Sequence, residues 1–477
     1  MQKSSTLRLR FGLILGLALL FSGACGAPSS ALPAIPTAHV ATPTPARLAT
    51  AAAVTLPTPS PTVPAAATAA ALPALDMRQP TEALPTTLPI ATADASIAEP
   101  PPTAPPTSPP EAPTQVALQP FDPALAAELQ HILDATVADG FIPGAVLAVQ
   151  IPGYEPWSGA SGIADRQRHL PMEPNTRVRI ASISKIFTAV VVLQLVEEGR
   201  IALDAPMTTW LPDLVPNGDA ITVHQLLNHT TGLYDFVEDR HFISRGYRDP
   251  DRIWDPRELV AYAAQFRPAF APGTPDAWDY SSTNYVILGM IVEQVTGNSL
   301  GHEMHQRIFA PLHLESTFFV PEDTVQGQMA RGYSKNTDQT NIALSIVFAT
   351  ANIVSTASDV QRFAQALHRG ELLRPATLDL MYTFVDGKGQ YHMPDLAYGY
   401  GIMRHRLPVG PAADGRPRPA AASTVVGHIG GFGGFRSAVW TAPESGITIA
   451  LGLNQAATDP NILATRVFDA ILRHQGR

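Results

Sequence analysis

The residues best suited to chemistry lie in one apolar segment, where Ser182 and Lys185 are three positions apart. This spacing places the two side chains on the same face of a helical turn. The residues that follow, up to Gly199, are apolar on nearly every face, so they predict a buried helix that ends at the glycine. Burial disfavours an ammonium ion, so we expect the pKa of this lysine to be lowered and its amine to accept a proton from a hydroxyl. The pattern predicts a nucleophilic serine, with an oxyanion site at the N-terminus of its helix.

A structural interpretation of the same pair stays open at this point, with Ser182 as a helix cap and Lys185 reaching solvent. The use of lysine in this chain argues against it. Of the 32 basic residues only four are lysines, at positions 3, 185, 335 and 388. Surface charge is therefore carried mainly by arginine, and a lysine inside an apolar helix is the unusual event.

The N-terminus has the pattern of an export signal. Three basic residues precede a short apolar run at 11–21, and Cys25, the only cysteine, follows it. We expect residues 1–25 to be a signal peptide whose lipoprotein-like end leaves Cys25 to carry lipid and tether the protein to the outside of the cell membrane. An ordinary cleavage site, with a secreted product, is the alternative. The net charge of −9, without a basic run after residue 10, argues against nucleic acid as a partner.

Residues 26–119 are rich in proline, alanine and threonine and lack an apolar period, so they predict a disordered linker. A folded domain is predicted over 120–477, beginning with the helix start Asp122-Pro123. We expect an α/β (α+β) fold in which one antiparallel sheet is built from both ends of the domain and flanked by helices, with a helical insertion at 204–400. The predicted strands are at 145–151, 158–165, 435–441 and 447–453.

Four segments of this domain, in order, resemble the serine β-lactamase-related hydrolases, and in particular class C β-lactamases, D-alanyl-D-alanine carboxypeptidases and their esterase relatives. The resemblance extends over residues 121–475. It rests on Ser182-Ile-Ser-Lys185, on 221–233 with His229-Thr-Thr-Gly, on 272–285 with Tyr280-Ser-Ser282, and on Gly427-His428-Ile-Gly430-Gly431.

The resemblance implies a role for each matching residue. Ser182 would be the acylated nucleophile, and Lys185 and Tyr280 would transfer its proton as a pair. The resemblance leaves open which of these two residues is the base. The backbone N–H groups of Ser182 and Gly431 would form the oxyanion hole. Three further residues would line the substrate site, namely Ser282, His428 and Gly430. No metal or other cofactor is implied.

Two positions depart from the family pattern and bear on the substrate. Ser282 replaces the usual asparagine of the second motif, and Ile429 replaces a threonine hydroxyl that commonly lies near a substrate carboxylate. These changes favour an ester or a peptide-like amide over efficient cleavage of a β-lactam or a D-Ala peptide, although a peptidoglycan-like substrate stays open. A non-catalytic module that binds cell wall or a partner protein is the competing hypothesis.

Three histidines outside the catalytic set received simpler interpretations. His229 is expected to fix a loop. His302 and His305 lie three apart on a predicted helix, without the spacing of a zinc motif, and are expected on a solvated face.

Overall fold

The computed structural model describes residues 117–476, so the predicted signal peptide, Cys25 and nearly all of the predicted linker lie outside the described residues. The strands in this range, in chain order, are β1 Gly144–Gln150, β2 Trp157–Asp165, β3 Leu170–Pro171, β4 Val178–Arg179, β5 Phe318–Phe319, β6 Tyr333–Ser334, β7 Thr337–Asp338, β8 Ile353–Ser355, β9 Val385–Asp386, β10 Ala397–Tyr398, β11 Met403–Arg406, β12 Thr424–Phe432, β13 Phe435–Thr441 and β14 Thr448–Leu453.

Helices connect and cover these strands. In chain order they are α1 Pro123–Val137, α2 Ser184–Glu197, α3 Val223–Asn228, α4 Arg240–Arg248, α5 Pro256–Ala263, α6 Ser282–Thr296, α7 Leu300–Met304, α8 Ala357–His368, α9 Pro375–Met381, α10 Ala420–Ser423 and α11 Pro460–His474. None of the helices within residues 117–476 is both long and apolar enough to cross a membrane.

The main sheet joins the two ends of the domain. Its strand order within residues 117–476 is β3-β2-β1-β14-β13-β12-β11-β10-β9, and its neighbours pair antiparallel. β1 lies beside β14 in a register that runs from Ala145 opposite Leu453 to Gln150 opposite Thr448. Every residue of both strands is buried, as expected for central strands covered on both faces. The predicted fold class, with one antiparallel sheet assembled from both ends, is confirmed.

Side chains of β1 alternate between two cores. Leu147 and its neighbours two positions away contact the core under α1 and α11, whereas Val146 and Ala148 contact the core that includes α2 and α8. This alternation places α1 and α11 on one face of the sheet and the helical insertion on the other. The catalytic segment therefore begins at the sheet and ends deep in the insertion.

Helix α2 is buried on all sides, as the sequence predicted. Its residues from Ser184 to Leu193 are all buried, and Phe187 stacks on Phe363 of α8 with ring centroids 3.6 Å apart. The helix is followed by Gly199 at φ +71°, the left-handed conformation that glycine adopts readily after a helix. Such complete burial fixes the helix tightly, so the few polar groups at its N-terminal end are held in one place.

Candidate active site

Ser182 lies at the start of α2 but not in its first α-helical turn, which corrects the predicted geometry. It is the middle residue of a 3₁₀ turn, Ala181–Ile183, that precedes the helix. Ala181 has φ +48°, a left-handed conformation that costs a non-glycine residue about 1 kcal/mol or more. Neighbouring strands hold this turn, because the Ser437 hydroxyl donates to the carbonyl of Ile180 at 2.7 Å. Ser182 is half-buried.

Lys185 is completely buried and points at Ser182, as predicted. Its Nζ donates to the Ser182 hydroxyl at 3.3 Å, to the Ser282 hydroxyl at 3.4 Å and to the carbonyl of Thr350 at 3.2 Å. Burial lowers the pKa of Lys185 to about 7. Near neutral pH a large share of these lysines is therefore uncharged and able to accept a proton.

Tyr280 completes the group around Ser182. Its ring centroid lies 4.8 Å from the lysine Nζ, and its hydroxyl is near enough to Ser182 for that side chain to lower the tyrosine pKa slightly. Burial outweighs this and raises the pKa of Tyr280 well above its usual value. Within residues 117–476 the buried hydroxyl makes no complete hydrogen bond. The tyrosine thus stays protonated at neutral pH, which makes the lysine the better base of the two.

His229 joins two of the matching segments. It follows α3 in a left-handed conformation, and its Nδ1 accepts a hydrogen bond from the backbone N–H of Ser281 at 3.2 Å. The amide of Asn284 lies 3.0 Å from the same nitrogen, and the His229 ring packs 4.3 Å from the ring of Tyr280. These contacts agree with the expected loop-fixing function, because they set the position of Tyr280 and the start of α6.

The hairpin of β12 and β13 presents a backbone donor at the edge of the strand that passes the nucleophile turn. Its turn has two residues, Gly433 and Gly434, so Phe432 and Phe435 exchange backbone hydrogen bonds. The next pair, Gly431 with Arg436, is then a non-hydrogen-bonded pair, in which N–H and C=O point away from the partner strand. On that side β11 pairs with β12 only as far as Gly427, so the Gly431 N–H faces the open edge.

Gly430 lets this strand approach the nucleophile turn. A Cβ atom at this position would lie 2.2 Å from the carbonyl oxygen of Ile180 and 3.2 Å from the Cβ of Ala181. Only glycine allows so close an approach between the strand and the residues that precede Ser182.

His428 is buried in the same strand. Its Nδ1 donates to the carbonyl of Ile429, and its Nε2 accepts from the Tyr398 hydroxyl at 3.1 Å. Burial lowers the pKa of His428 to about 3. Both ring nitrogens are therefore occupied in a neutral ring, which supports the strand and leaves no proton to exchange.

Comparison with known proteins places the chain in a family. The β-lactamase family model matches residues 129–472. The chain belongs to the β-lactamase family. This confirms the resemblance seen in the sequence and the enzyme class expected from it, a serine hydrolase.

Relatives within this family have different names. The esterase EstB of Burkholderia gladioli is 36% identical over 211 residues, which are 41% of this chain and 52% of EstB, so the chain spans about half of that relative. Penicillin-binding protein 4 of Amycolatopsis lactamdurans is 29% identical over 70% of this chain and 86% of its own length.

Solved structures of amidases are similar to the whole domain. A D-stereospecific amidohydrolase from Streptomyces has 34% identity and a TM-score of 0.61 over 71% of this chain and 98% of its own. The D-amino acid amidase from Ochrobactrum anthropi, complexed with L-phenylalanine, has 31% identity and a TM-score of 0.64 over 74% of this chain and 99% of its own.

Asp235 is a residue of this site that the sequence did not reveal. Its Oδ1 accepts from the backbone N–H of Val237 at 3.0 Å, and its Oδ2 accepts from the Ser282 hydroxyl at 3.3 Å. Burial raises the pKa of Asp235 to about 6. Asp235 directly precedes the short helical turn Phe236–Glu238 and caps it, which is an ordinary role for an aspartate. Only the packing of α6 against this loop shows that it also contacts Ser282, beside the catalytic lysine.

The histidines of the α7 region are not part of the site. His305 lies 2.8 Å from a carboxylate oxygen of Asp323, in a partly exposed hydrogen-bonded contact. Among residues 117–476 no three His, Cys, Asp or Glu side chains are grouped so that they could hold a metal ion.

Proposed function

We propose that this chain is an exported serine hydrolase that cleaves an ester or amide through an acyl-enzyme on Ser182. The observation that carries the proposal is the buried Nζ of Lys185 at 3.3 Å from the Ser182 hydroxyl, with a pKa of about 7. An amine in this state can take the serine proton at neutral pH.

The steps follow from this arrangement. Ser182 Oγ bonds to the substrate carbonyl carbon while its proton passes to Lys185 Nζ. The electron pair of the carbonyl moves to its oxygen, which accepts hydrogen bonds from the N–H groups of Ser182 and Gly431. The C–O or C–N bond then breaks, and the leaving group takes a proton from Tyr280, which regains one from the lysine. Water attacks the acyl-enzyme by the same route and releases the acid.

The two departures from the family pattern support short esters and amino-acid amides as substrates. Ile429 is half-buried among apolar residues and offers no hydroxyl to a substrate carboxylate, and Ser282 has turned its hydroxyl towards Lys185 and Asp235. The esterase and the D-amino acid amidase named above have activities that fit such substrates. We rank cleavage of β-lactams and D-Ala-D-Ala peptides below them.

Covalent labelling of the full chain tests the hydrolase proposal. A fluorophosphonate should add its mass to Ser182 in the wild type and not in Ser182→Ala. Lys185→Ala should slow labelling by at least about a hundredfold, with a thermal unfolding scan to show that the variant is folded. A wild type that is not labelled, and that releases no p-nitrophenol from p-nitrophenyl acetate, would instead favour the non-catalytic binding module.

We also propose that the protein is exported and held at the membrane by lipid on Cys25, with residues 26–119 as a spacer. The proposal rests on the N-terminal sequence alone: basic residues, the apolar run and a cysteine four residues after the end of that run. Mass spectrometry of the mature N-terminus tests it. A diacylglyceryl group on Cys25 that disappears in Cys25→Ser supports tethering, whereas a mature N-terminus without lipid, such as unmodified Cys25 after cleavage behind Ala24, supports secretion.

A further inference from the structure

A line of hydrogen bonds leads away from the catalytic lysine. Lys185 Nζ donates to the Ser282 hydroxyl at 3.4 Å, and this hydroxyl donates to Asp235 Oδ2 at 3.3 Å. A hydroxyl can accept one hydrogen bond and donate another, so Ser282 is able to connect an ammonium to a carboxylate. The hydrolase proposal leaves both Ser282 and Asp235 without a function.

The two residues of this line beyond Lys185 are held in place. Asp235 accepts from the backbone N–H of Val237 in addition to the Ser282 hydroxyl. Ser282 is the first residue of α6, a helix whose following eight residues are all buried. The carboxylate therefore has a fixed position near Lys185, although Asp235 as a residue is only half-buried.

The charges around Lys185 indicate what these hydrogen bonds do. Among residues 117–476 Asp235 is the one carboxylate whose charge raises the pKa of the lysine. The other groups that face the amine are uncharged at neutral pH: the hydroxyl of Ser182, the carbonyl of Thr350, the rings of Tyr280 and Tyr285 and the neutral rings of His229 and His428. When the serine proton arrives, a buried ammonium forms, and such an ion is costly without an opposite charge nearby.

We propose that Asp235, acting through Ser282, positions Lys185 against Ser182 and stabilises the protonated lysine that forms during catalysis. This inference rests on the hydrolase proposal and adds to it a positioning pair in place of the asparagine that the second motif usually carries. Asp235 does not touch the reacting atoms. Its effect reaches them through the hydroxyl of Ser282.

A kinetic comparison of full-length variants tests the inference. The variants are Asp235→Asn, Ser282→Ala and their double mutant, and Glu238→Gln is the matched control. Glu238 is an exposed acid three residues from Asp235, and its charge also acts on that carboxyl, but the structure shows no contact between it and Ser282. The values of kcat and KM are measured from pH 5 to 9 with two substrates, p-nitrophenyl acetate and D-phenylalanine p-nitroanilide.

We expect Asp235→Asn to lower kcat about tenfold with both substrates and to leave KM within about twofold, because it removes support for the ammonium and not a substrate contact. Loss of the negative charge lowers the lysine pKa, so the acidic limb of the kcat profile should move about one pH unit towards acid. Ser282→Ala should act in the same direction, and the double mutant should lose little more than Asp235→Asn. Glu238→Gln should change neither kcat nor the limb.

Three results would overturn the inference. A rise in KM confined to the substrate with a free amino group would make Asp235 a recognition site for that amine. If the acidic limb of the kcat profile did not move in Asp235→Asn, or moved equally in Glu238→Gln, Asp235 would not act on Lys185 through Ser282. A wild type without activity on either substrate, unlabelled by fluorophosphonate, would reject the hydrolase proposal and this inference with it.

Discussion

Replacing the catalytic lysine by an apolar residue of similar shape should stabilise the fold while it destroys activity. Lys185→Met keeps most of the side-chain volume and removes the buried amine. A pKa that falls from the ordinary 10.5 to about 7 on folding corresponds to about 5 kcal/mol at pH 7 and below, at about 1.4 kcal/mol per pH unit. In the variant Asp235 no longer has a positive partner, and this loss offsets part of the gain in unfolding free energy. We expect a net gain of about 2 kcal/mol in unfolding free energy at pH 7.

The sign of the pH dependence distinguishes this effect from better packing. Between pH 7 and 10.5 the unfolded lysine binds a proton that the folded one has lost, so the stability of the wild type rises with pH in this window. The Met variant lacks this rise. Its advantage should therefore be largest at or below pH 7 and vanish near pH 10.5.

Urea unfolding of the full chain at pH 7 and pH 9.5 measures the difference. Lys388→Met is the control, because its amine is partly exposed and pairs with the exposed Asp386, so its unfolding free energy should change by less than about 1 kcal/mol at either pH. The reasoning would be refuted if Lys185→Met were less stable than the wild type at pH 7, or if its advantage were the same at both pH values.

Three further substitutions test the rest of the site. Tyr280→Phe should lower kcat about a hundredfold without lowering the melting temperature, because the buried hydroxyl has no complete hydrogen bond to lose among residues 117–476. Gly430→Ala should lower kcat/KM at least about a hundredfold, since its Cβ would displace the Ile180 carbonyl before the nucleophile, while far-UV circular dichroism stays unchanged. Ile429→Thr should raise kcat/KM about tenfold for D-Ala-D-Ala peptides and leave p-nitrophenyl acetate unchanged, as judged by steady-state kinetics.

The sequence predicted the elements whose pattern is strong over many residues. The alternation and length of β1, β2, β13 and β14 and the continuous apolar run of α2 are local signals. The four strands are found within one residue of their predicted bounds, whereas α2 begins two residues after Ser182, where the helix was expected to start. The prediction of one antiparallel sheet built from both ends of the domain is confirmed by the pairing of β1 with β14. The short strands β9 and β10 inside the expected helical insertion were missed, because two residues carry no measurable period.

The family motifs predicted the catalytic residues of the site. The prediction was incomplete for features that depend on contacts between residues far apart in the sequence. Ser182, Lys185 and Tyr280 do come together. The 3₁₀ turn at Ser182 could not be predicted from the local sequence, because it depends on hydrogen bonds between Ile180 and strands β8 and β13. Asp235 escaped it because the contact with Ser282 joins residues 47 positions apart.

The pH dependence of acylation at Ser182 tests the central claim most directly. The rate at which a fluorophosphonate adds its mass to the full chain should rise through a single titration with a midpoint near pH 7, the pKa of the buried lysine, and Ser182→Ala should take up none. A midpoint near pH 10, where an ordinary lysine or tyrosine titrates, would show that no amine with a lowered pKa activates the serine and would contradict the account.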